Sequence, residues 1–432
     1  MVRSGVAPDH PEVKNVTNDF EEVAKDPRFS FLGNVLVGKD ISVQELRNRY
    51  SAVILAYGAV SDRTMGIEGE NLKNVFSARA FVNWYNGHPD FATFTPNLNC
   101  EDVVIVGQGN VAIDCARILA KTVDELKTTD IAKHALTALA ASKVKRIHVV
   151  GRRGHVQAAF TMKELREITR LDDADCIVKA EELDRCRNLQ SLKELESQRA
   201  KKRLDALLVE VAGSKSESPS AKRREVILRF LLSPSKLIAD SEDNTRVGSF
   251  EMDITHLEGE PEKQSARITG KKETIRAGMV LRSIGYKSES LPGVPFDSRK
   301  SIVKNIVGRV ISDSGTVETG LYCTGWLKRG PSGIIGTNIT DARETVACLL
   351  EDKKMGKLDT IEREDKSTSE STTRPIVSLC SLLKTRGKNR QQLVDWNEWL
   401  KIDDKERTDG IAVGKPREKI VSVDTMLRVA SA

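Results

Sequence analysis

Val103-Val104-Ile105-Val106-Gly107-Gln108-Gly109-Asn110-Val111-Ala112 is the stretch on which the fold turns. Four consecutive apolar residues read as a strand covered on both faces, as in a parallel sheet. Residues 107–112 then carry the spacing G-x-G-x-x-A, and residues 111–121 read as a helix. Each small residue serves a physical purpose. Gly107 permits the tight turn, Gly109 lets backbone approach a pyrophosphate, and Ala112 keeps helix and strand close. The helix N-terminus adds N–H groups and positive dipole. The spacing alone is a weak signal, and an ordinary βα turn is the competing reading. The strand before it and the helix after it are the context that a dinucleotide site requires.

Downstream, a strand at residues 146–150 runs into Gly151-Arg152-Arg153-Gly154. An NAD site would place Asp or Glu at this strand end for the ribose 2′-hydroxyl, whereas two arginines suit a 2′-phosphate. At roughly 1.5–3 kcal/mol per charged hydrogen bond, they would favour NADP over NAD by roughly two to four orders of magnitude. The strand lies farther along the chain from Gly107 than is usual, so a plain basic turn stays open as an alternative.

Outward from this unit, the 432 residues exceed one ordinary core and predict two domains. With 39% hydrophobic and 30% charged residues the chain reads as globular. Its longest apolar runs, at 103–106 and 118–120, fall far short of the roughly 20 residues of a membrane span, and no transmembrane segment is expected. The net charge of +6 gathers at 199–203, 222–224 and 328–329. Such clusters are a solvated face or a docking surface for an acidic partner. Few aromatics and no stacking platform argue against nucleic acid. Cys100, Cys115, Cys176, Cys186, Cys323, Cys348 and Cys380 form no C-x-x-C pair and no zinc-ligand spacing, so neither a local redox disulfide nor a metal site is expected.

Elsewhere, residues 13–25 read as a helix and 29–32 and 34–37 as short strands. A helix over 42–49 is predicted with Ser42 and Glu45 as a capping box. Residues 52–56 form a strand ending in Tyr57-Gly58, and 77–85, 130–142, 161–170 and 189–211 look helical. A flexible loop at 213–221 precedes a β-rich region over 225–284. A long helix is expected over 333–350, and 359–374, almost devoid of apolar residues, reads as a mobile surface segment.

Longer strings add a resemblance. Residues 6–15 (VAPDHPEVKN), 76–81 (FSARAF), the G-x-G turn itself, 150–154 (VGRRG), Phe160-Thr161 with 163–167 (KELRE), 283–287 (SIGYK), Gly325-Trp326 with 328–331 (KRGP), and 414–419 (GKPREK) resemble the mitochondrial NADPH–adrenodoxin (ferredoxin) reductase family. The likeness runs in order along nearly the whole chain and is weak only in 171–300 and 359–400. It implies an α/β fold of two doubly wound dinucleotide-binding domains, with an NADP domain at 61–290 inserted into an FAD domain at 1–60 and 291–432. Gly107, Gln108, Gly109, Asn110, Arg152, Arg153 and Glu164 would then contact NADP. Val37, Trp326, Gly333, Ile334 and Ile335 would contact FAD. A helix opening at Gly333 would aim its dipole at the flavin, where positive potential stabilises the reduced anion.

His10, on local grounds a loop histidine, and Asp114, in the first turn of the nucleotide helix, match a family pair that is hydrogen-bonded between domains near the electron exit. Arg166, Arg199 and Arg203 match the family's basic docking face, and the last two, at i and i+4, would present one joint positive surface. The implied reaction passes electrons from NADPH through FAD to a [2Fe–2S] ferredoxin, feeding mitochondrial P450 or iron–sulfur pathways. The matrix is the implied compartment, and the resemblance allows peripheral association with the inner membrane. The chain departs from the family in one respect. No strand, G-x-G-x-x-G turn and helix for the FAD pyrophosphate precede Val2-Arg3-Ser4-Gly5, and the first ten residues read as loop from inside a domain. The expectation is therefore an N-terminally truncated member lacking the first βα unit of its FAD domain and any transit peptide. The alternatives are a flavin-free NADP-binding module that interacts with ferredoxin without catalysis, and a basic interaction protein with a vestigial nucleotide fold.

Overall fold

The computed structural model describes residues 2–213, 222–333, 336–358, 375–388 and 392–432. The stretch 359–374, most of the 213–221 loop, Ile334 and Ile335 lie outside the described residues. The chain divides into two compact units. Unit 1 holds Met1–Phe20, Thr64–Ile284 and Asp403–Met426, and unit 2 holds Glu21–Arg63, Gly285–Ile402 and Leu427–Ala432. Residues 1–20 and 403–426 therefore group with the nucleotide region, apart from the rest of the two stretches that the family likeness joins as a flavin domain.

Unit 1 is built on a six-stranded sheet whose pairings are all parallel. The strands run in the order Val75–Ser77, Met279–Arg282, Asp102–Val106, Arg146–Val150, Arg224–Arg229 and Ala174–Val178. Every residue of Asp102–Val106 is buried, which explains its unbroken apolar run. Its side chains sort strictly by alternation. Val103 and Ile105 join a core with Ile113, Ala116, Leu165, Leu204 and Leu208 from the helices, while Val104 and Val106 pack with Phe250, Met252 and Ile275. Those last three belong to a three-stranded antiparallel sheet, Leu232–Ala239, Val247–Glu258 and Ser265–Arg276, that covers the face opposite the helices. The β-rich reading of 225–284 thus holds one parallel strand, this covering sheet and a second parallel strand.

Unit 2 carries a smaller four-stranded sheet in which Val53–Leu55 pairs parallel with Val317–Cys323, and the remaining pairings are antiparallel. The Ser42–Glu45 capping box is present and starts the helix Val43–Arg47. Residues 29–32 and 34–37 form no strands. Phe29 and Phe31 instead set their rings edge-on against Trp396, at 5.9 and 6.0 Å, and the backbone makes only isolated bridges, Gly33 to Val394 and Val37 to Ile41. An apolar run becomes a strand only where a partner strand lies alongside it, and among the described residues none does here. Two predicted helices also differ. Residues 189–211 break at Gln198, whose ψ of 95° is extended, into Leu189–Ser197 and Arg199–Gly213. The late helix starts at Thr337, beyond the glycines, and ends at Lys354.

Candidate functional site

The nucleotide turn of unit 1 follows from two glycines with opposite surroundings. Gly107 has φ +123°, a backbone region that L side chains rarely adopt, and a Cβ there would collide with the carbonyl of Ser283. Its N–H donates to Val150 O at 2.8 Å, and Ser283 N–H donates to Val106 O at 2.7 Å, so three parallel strand ends are laced together at the turn. Gly109 is the N-cap of Asn110–Ala120, and a Cβ on it would meet no atom within 4 Å. The tight side of the turn is thus packed against the sheet while Gly109 faces open space. No side chain caps this helix start, which leaves its N–H groups and dipole for an anion. Ala112 is fully buried beneath it.

Gln108 and Asn110 hold neighbouring chain. Gln108 Nε2 donates to Arg229 O at 2.8 Å, and its backbone carbonyl accepts from Ala159 N and Phe160 N at 2.8 and 3.0 Å. Asn110 Oδ1 accepts from Thr161 N at 3.0 Å. Glu164, in the first turn of Met162–Thr169, takes a short hydrogen bond from the Thr161 hydroxyl. A Cβ on Gly151 would strike the Gln108 side chain, so this glycine seats the basic loop against the turn.

Arg152 and Arg153 are both exposed, and neither guanidinium has a hydrogen-bond or ion-pair partner among the described residues. Their backbone is fixed: Arg152 O accepts from Thr255 Oγ1 at 2.8 Å and Arg153 O from Leu231 N at 3.2 Å. Other arginines of this unit are ion-paired, as Arg229 is to Glu182 and Glu273 and Arg146 to Asp102. Two free cations on an anchored loop beside an open helix N-terminus suit a phosphate. The long sequence gap between Gly107 and Arg152 is taken up by the short helices Val123–Leu126 and Lys133–Ala140, and the two motifs meet because their strands are neighbours.

His10 is buried, with Nε2 2.9 Å from Glu167 Oε2. Asp114 accepts instead from Arg117 at 2.7 Å, so the expected His10–Asp114 hydrogen bond is replaced by two bonds that share one cluster. Arg117, 1% exposed, is its centre, and it also binds Asp9 at 2.6 and 3.0 Å. Burial raises the Asp114 carboxyl above its ordinary value, only partly offset by Arg117. Burial alone would raise Asp9 as well, but Arg117 and Lys121 hold it far below the usual carboxylate range. Removing one partner of the Asp9–Arg117 pair would strand a buried charge, at about 3–5 kcal/mol. Asp9, Arg117 and Glu167 were not singled out from sequence. The available signal was an arginine inside Cys115-Ala116-Arg117-Ile118-Leu119-Ala120, a run otherwise buried to its last residue.

In unit 2, Val53–Leu55 and Val317–Cys323 end side by side, tied by Thr324 N–H to Leu55 O at 3.0 Å. Beyond those ends lie Gly58, open within 4 Å, and Trp326, whose ring stacks on Tyr286 at 5.4 Å. Among the described residues the buried Trp326 indole N–H has no hydrogen-bond partner, a state that costs about 1–3 kcal/mol unless something accepts from it. Gly333 has φ +81°, and the 18-residue helix Thr337–Lys354 begins beyond it with no side-chain cap. A donor without an acceptor and an uncapped helix start, at the carboxyl ends of parallel strands, fit the polar ring edge of a flavin. Val37, distant from these strands in the chain, packs against the apolar cluster that includes their last residues, Leu55 and Cys323, and against the cluster of Leu383. Across the 432 residues the G-x-G-x-x-A turn occurs once, in unit 1.

Arg166, Arg199 and Arg203 are exposed, and their helices Met162–Thr169 and Arg199–Gly213 share one core through Leu165, Ile168, Leu204 and Leu208. The seven cysteines are all free thiols. Among the described residues no group of side chains is arranged to hold a metal, and no helix is long and apolar enough to cross a membrane.

No protein-family model matches the chain. Individual proteins do. The chain is 45% identical over 439 residues to the mitochondrial NADPH:adrenodoxin oxidoreductase of Salvelinus fontinalis, covering all of this chain and 84% of that protein. It is 44% identical over 436 residues to the Homo sapiens protein of the same name, covering 99% and 84%. Among solved structures, Mycobacterium tuberculosis FprA in complex with NADPH superposes with a TM-score of 0.88 at 36% identity, covering all of this chain and 90% of that one.

Proposed function

The chain belongs to the NADPH:adrenodoxin oxidoreductase family, and on that premise we propose how its residues carry electrons from NADPH through FAD to a ferredoxin. It is an NADPH-dependent flavoenzyme of the ferredoxin reductase type, and the flavin-free alternative is not favoured. One observation carries the assignment of the nucleotide site. The Gly107 N–H to Val150 O bond sets the open Gly109 turn beside two unpaired arginines.

In this reading the uncapped start of Asn110–Ala120 binds the pyrophosphate of NADPH, and Arg152 and Arg153 bind its 2′-phosphate. Gln108, Asn110 and Glu164 would contact NADP, and the same side chains hold the surrounding loops in register. Trp326 and Gly333, with the start of Thr337–Lys354, would hold the ring edge of FAD, and Ile334 and Ile335 keep the same role by family likeness alone. Bound FAD supplies the chemistry of taking an electron pair and releasing electrons singly. His10, Glu167, Arg117 and Asp114 keep a charged hydrogen-bond network next to the nucleotide helix, suited to holding a proton there. A cysteine set without a redox pair is consistent with an iron–sulfur acceptor rather than a disulfide. Arg166, Arg199 and Arg203 form the docking face for an acidic [2Fe–2S] ferredoxin of the adrenodoxin type. The compartment is mitochondrial by likeness to its eukaryotic relatives; the matrix, with peripheral association to the inner membrane, is the finer proposal, tested by fractionation and salt extraction.

The test is NADPH-driven, ferredoxin-dependent reduction of cytochrome c. The expected result is activity that strongly prefers NADPH to NADH. Reversing charge at Arg199 and Arg203 together should lower coupling roughly tenfold or more at low ionic strength and much less at high salt. Equal rates with NADPH and NADH would overturn the cofactor reading. A rate indifferent to the two charge reversals would overturn the docking face.

A further inference from the structure

The loop bearing Arg152 and Arg153 is anchored on its sheet side, where its carbonyls accept from the Thr255 hydroxyl and the Leu231 N–H. Its far side ends in a residue that the nucleotide reading does not use. His155 is 1% exposed, and it directly follows Gly154. Its Nε2 lies 2.7 Å from Asp205 Oδ1, on the helix Arg199–Gly213. Arg187 grips the same carboxylate through two bonds of 3.0 and 2.8 Å, leaving Asp205 fixed from both directions. The imidazole also meets Phe230 edge-on at 5.6 Å, and the His155 backbone hydrogen-bonds the Cys186 thiol. Burial alone would raise the Asp205 carboxyl, yet the bonds from His155 and Arg187 bring it down to about 2. The carboxylate is thus a permanent anion, and the histidine is plugged into it.

We infer that His155 and Asp205 form a clamp that positions the Arg152–Arg153 loop and so sets selectivity for a ribose 2′-phosphate. The inference deepens the nucleotide site proposed above and rests on it. Two long cationic side chains on a surface loop gain selectivity only if their backbone does not wander, because loop ordering must otherwise be supplied by the ligand. Gly151 seats one end of the loop against Gln108, and His155 pins the other, so both ends of the arch are held. The imidazole itself, buried and pointed at Asp205, does not reach the ligand. It is a positioning residue.

The probes are 2′,5′-ADP, which carries the extra phosphate, and 5′-ADP, which lacks it, titrated calorimetrically into the full chain. His155→Ala should weaken 2′,5′-ADP about tenfold and leave 5′-ADP within about twofold, because the Gly109 turn is untouched. His155→Gln, whose amide can still donate to Asp205, should recover most of the loss. If His155→Ala does not fold, Asp205→Asn makes the same measurement. Unchanged affinity for 2′,5′-ADP, or an equal loss for both probes, overturns the clamp. The Arg152→Gln/Arg153→Gln variant tests the underlying reading separately, and it should bind the two probes alike. Failure there, with unaltered preference for 2′,5′-ADP, would reject the nucleotide assignment whatever His155 does.

Discussion

The two units prepare for their nucleotides in different ways. Unit 1 presents a receptor built from backbone: six parallel strands, a turn whose glycine cannot carry a side chain, and a basic loop held at both ends. Unit 2 has one parallel strand pair in a four-stranded sheet, and among the described residues nothing accepts from its buried Trp326 N–H. Preorganisation lowers the ordering cost of binding, whereas a buried donor gains when a ligand accepts from it. Unit 1 should therefore bind its ligand with little change in stability of its framework. Unit 2 should gain more from its own.

The largest expected effect would break the receptor of unit 1. Gly107→Ala adds a side chain at φ +123° against the Ser283 carbonyl, so strain of several kcal/mol should lower the melting temperature sharply and abolish NADP binding. Gly109→Ala is the matched control. Its Cβ enters open space, so stability should be nearly unchanged while NADP affinity falls about tenfold or more through lost approach of the pyrophosphate. If the two variants behave alike by thermal melt, the division between packed and open sides of the turn is wrong.

Trp326→Phe sharpens the other side of the comparison. Phenylalanine keeps the stack on Tyr286 but removes the buried donor, so the flavin-free protein should be stabilised by about 1 kcal/mol. Flavin affinity, followed by fluorescence quenching, should drop about fivefold for the lost hydrogen bond. Lower stability without flavin and unaltered flavin affinity would mean that the indole N–H is not aimed at a ligand.

A pH slope tests the framework of unit 1 without touching its turn. Lys419 is buried beside Lys14, Arg3, Asn86 and the carboxylate of Asp130, with Arg3 itself paired to Glu406. Burial lowers Lys419 from 10.5 to about 7, opposed by Asp130. Between those values the unfolded chain holds the proton and the folded one does not, so stability rises with pH, by at most about 1.4 kcal/mol per pH unit for this one group. Urea midpoints at about pH 7 and about pH 9.5, which span that window, should show the rise, and Lys419→Met should flatten it. A midpoint that falls over this range in both proteins would reject the assignment.

Sequence alone determined the parts of the molecule that are local. The βα turn at 107–112, the arginine pair at 152–153, the Ser42–Glu45 cap and the exposed face of Arg199 and Arg203 all follow from spacing and side-chain chemistry, because a turn, a cap and a helix face are properties of neighbouring residues. Tertiary structure decided what those parts touch. It gave His10 to Glu167 rather than Asp114, made Arg117 the hub of a charged cluster with Asp9, Asp114 and Glu167, denied residues 29–37 a partner strand, and covered one face of the parallel sheet with an antiparallel one. It also plugged His155 into Asp205, far along the chain. Pairings across such distances are chosen by packing and desolvation, which depend on the whole set of surrounding atoms, and no run of neighbouring residues contains that set.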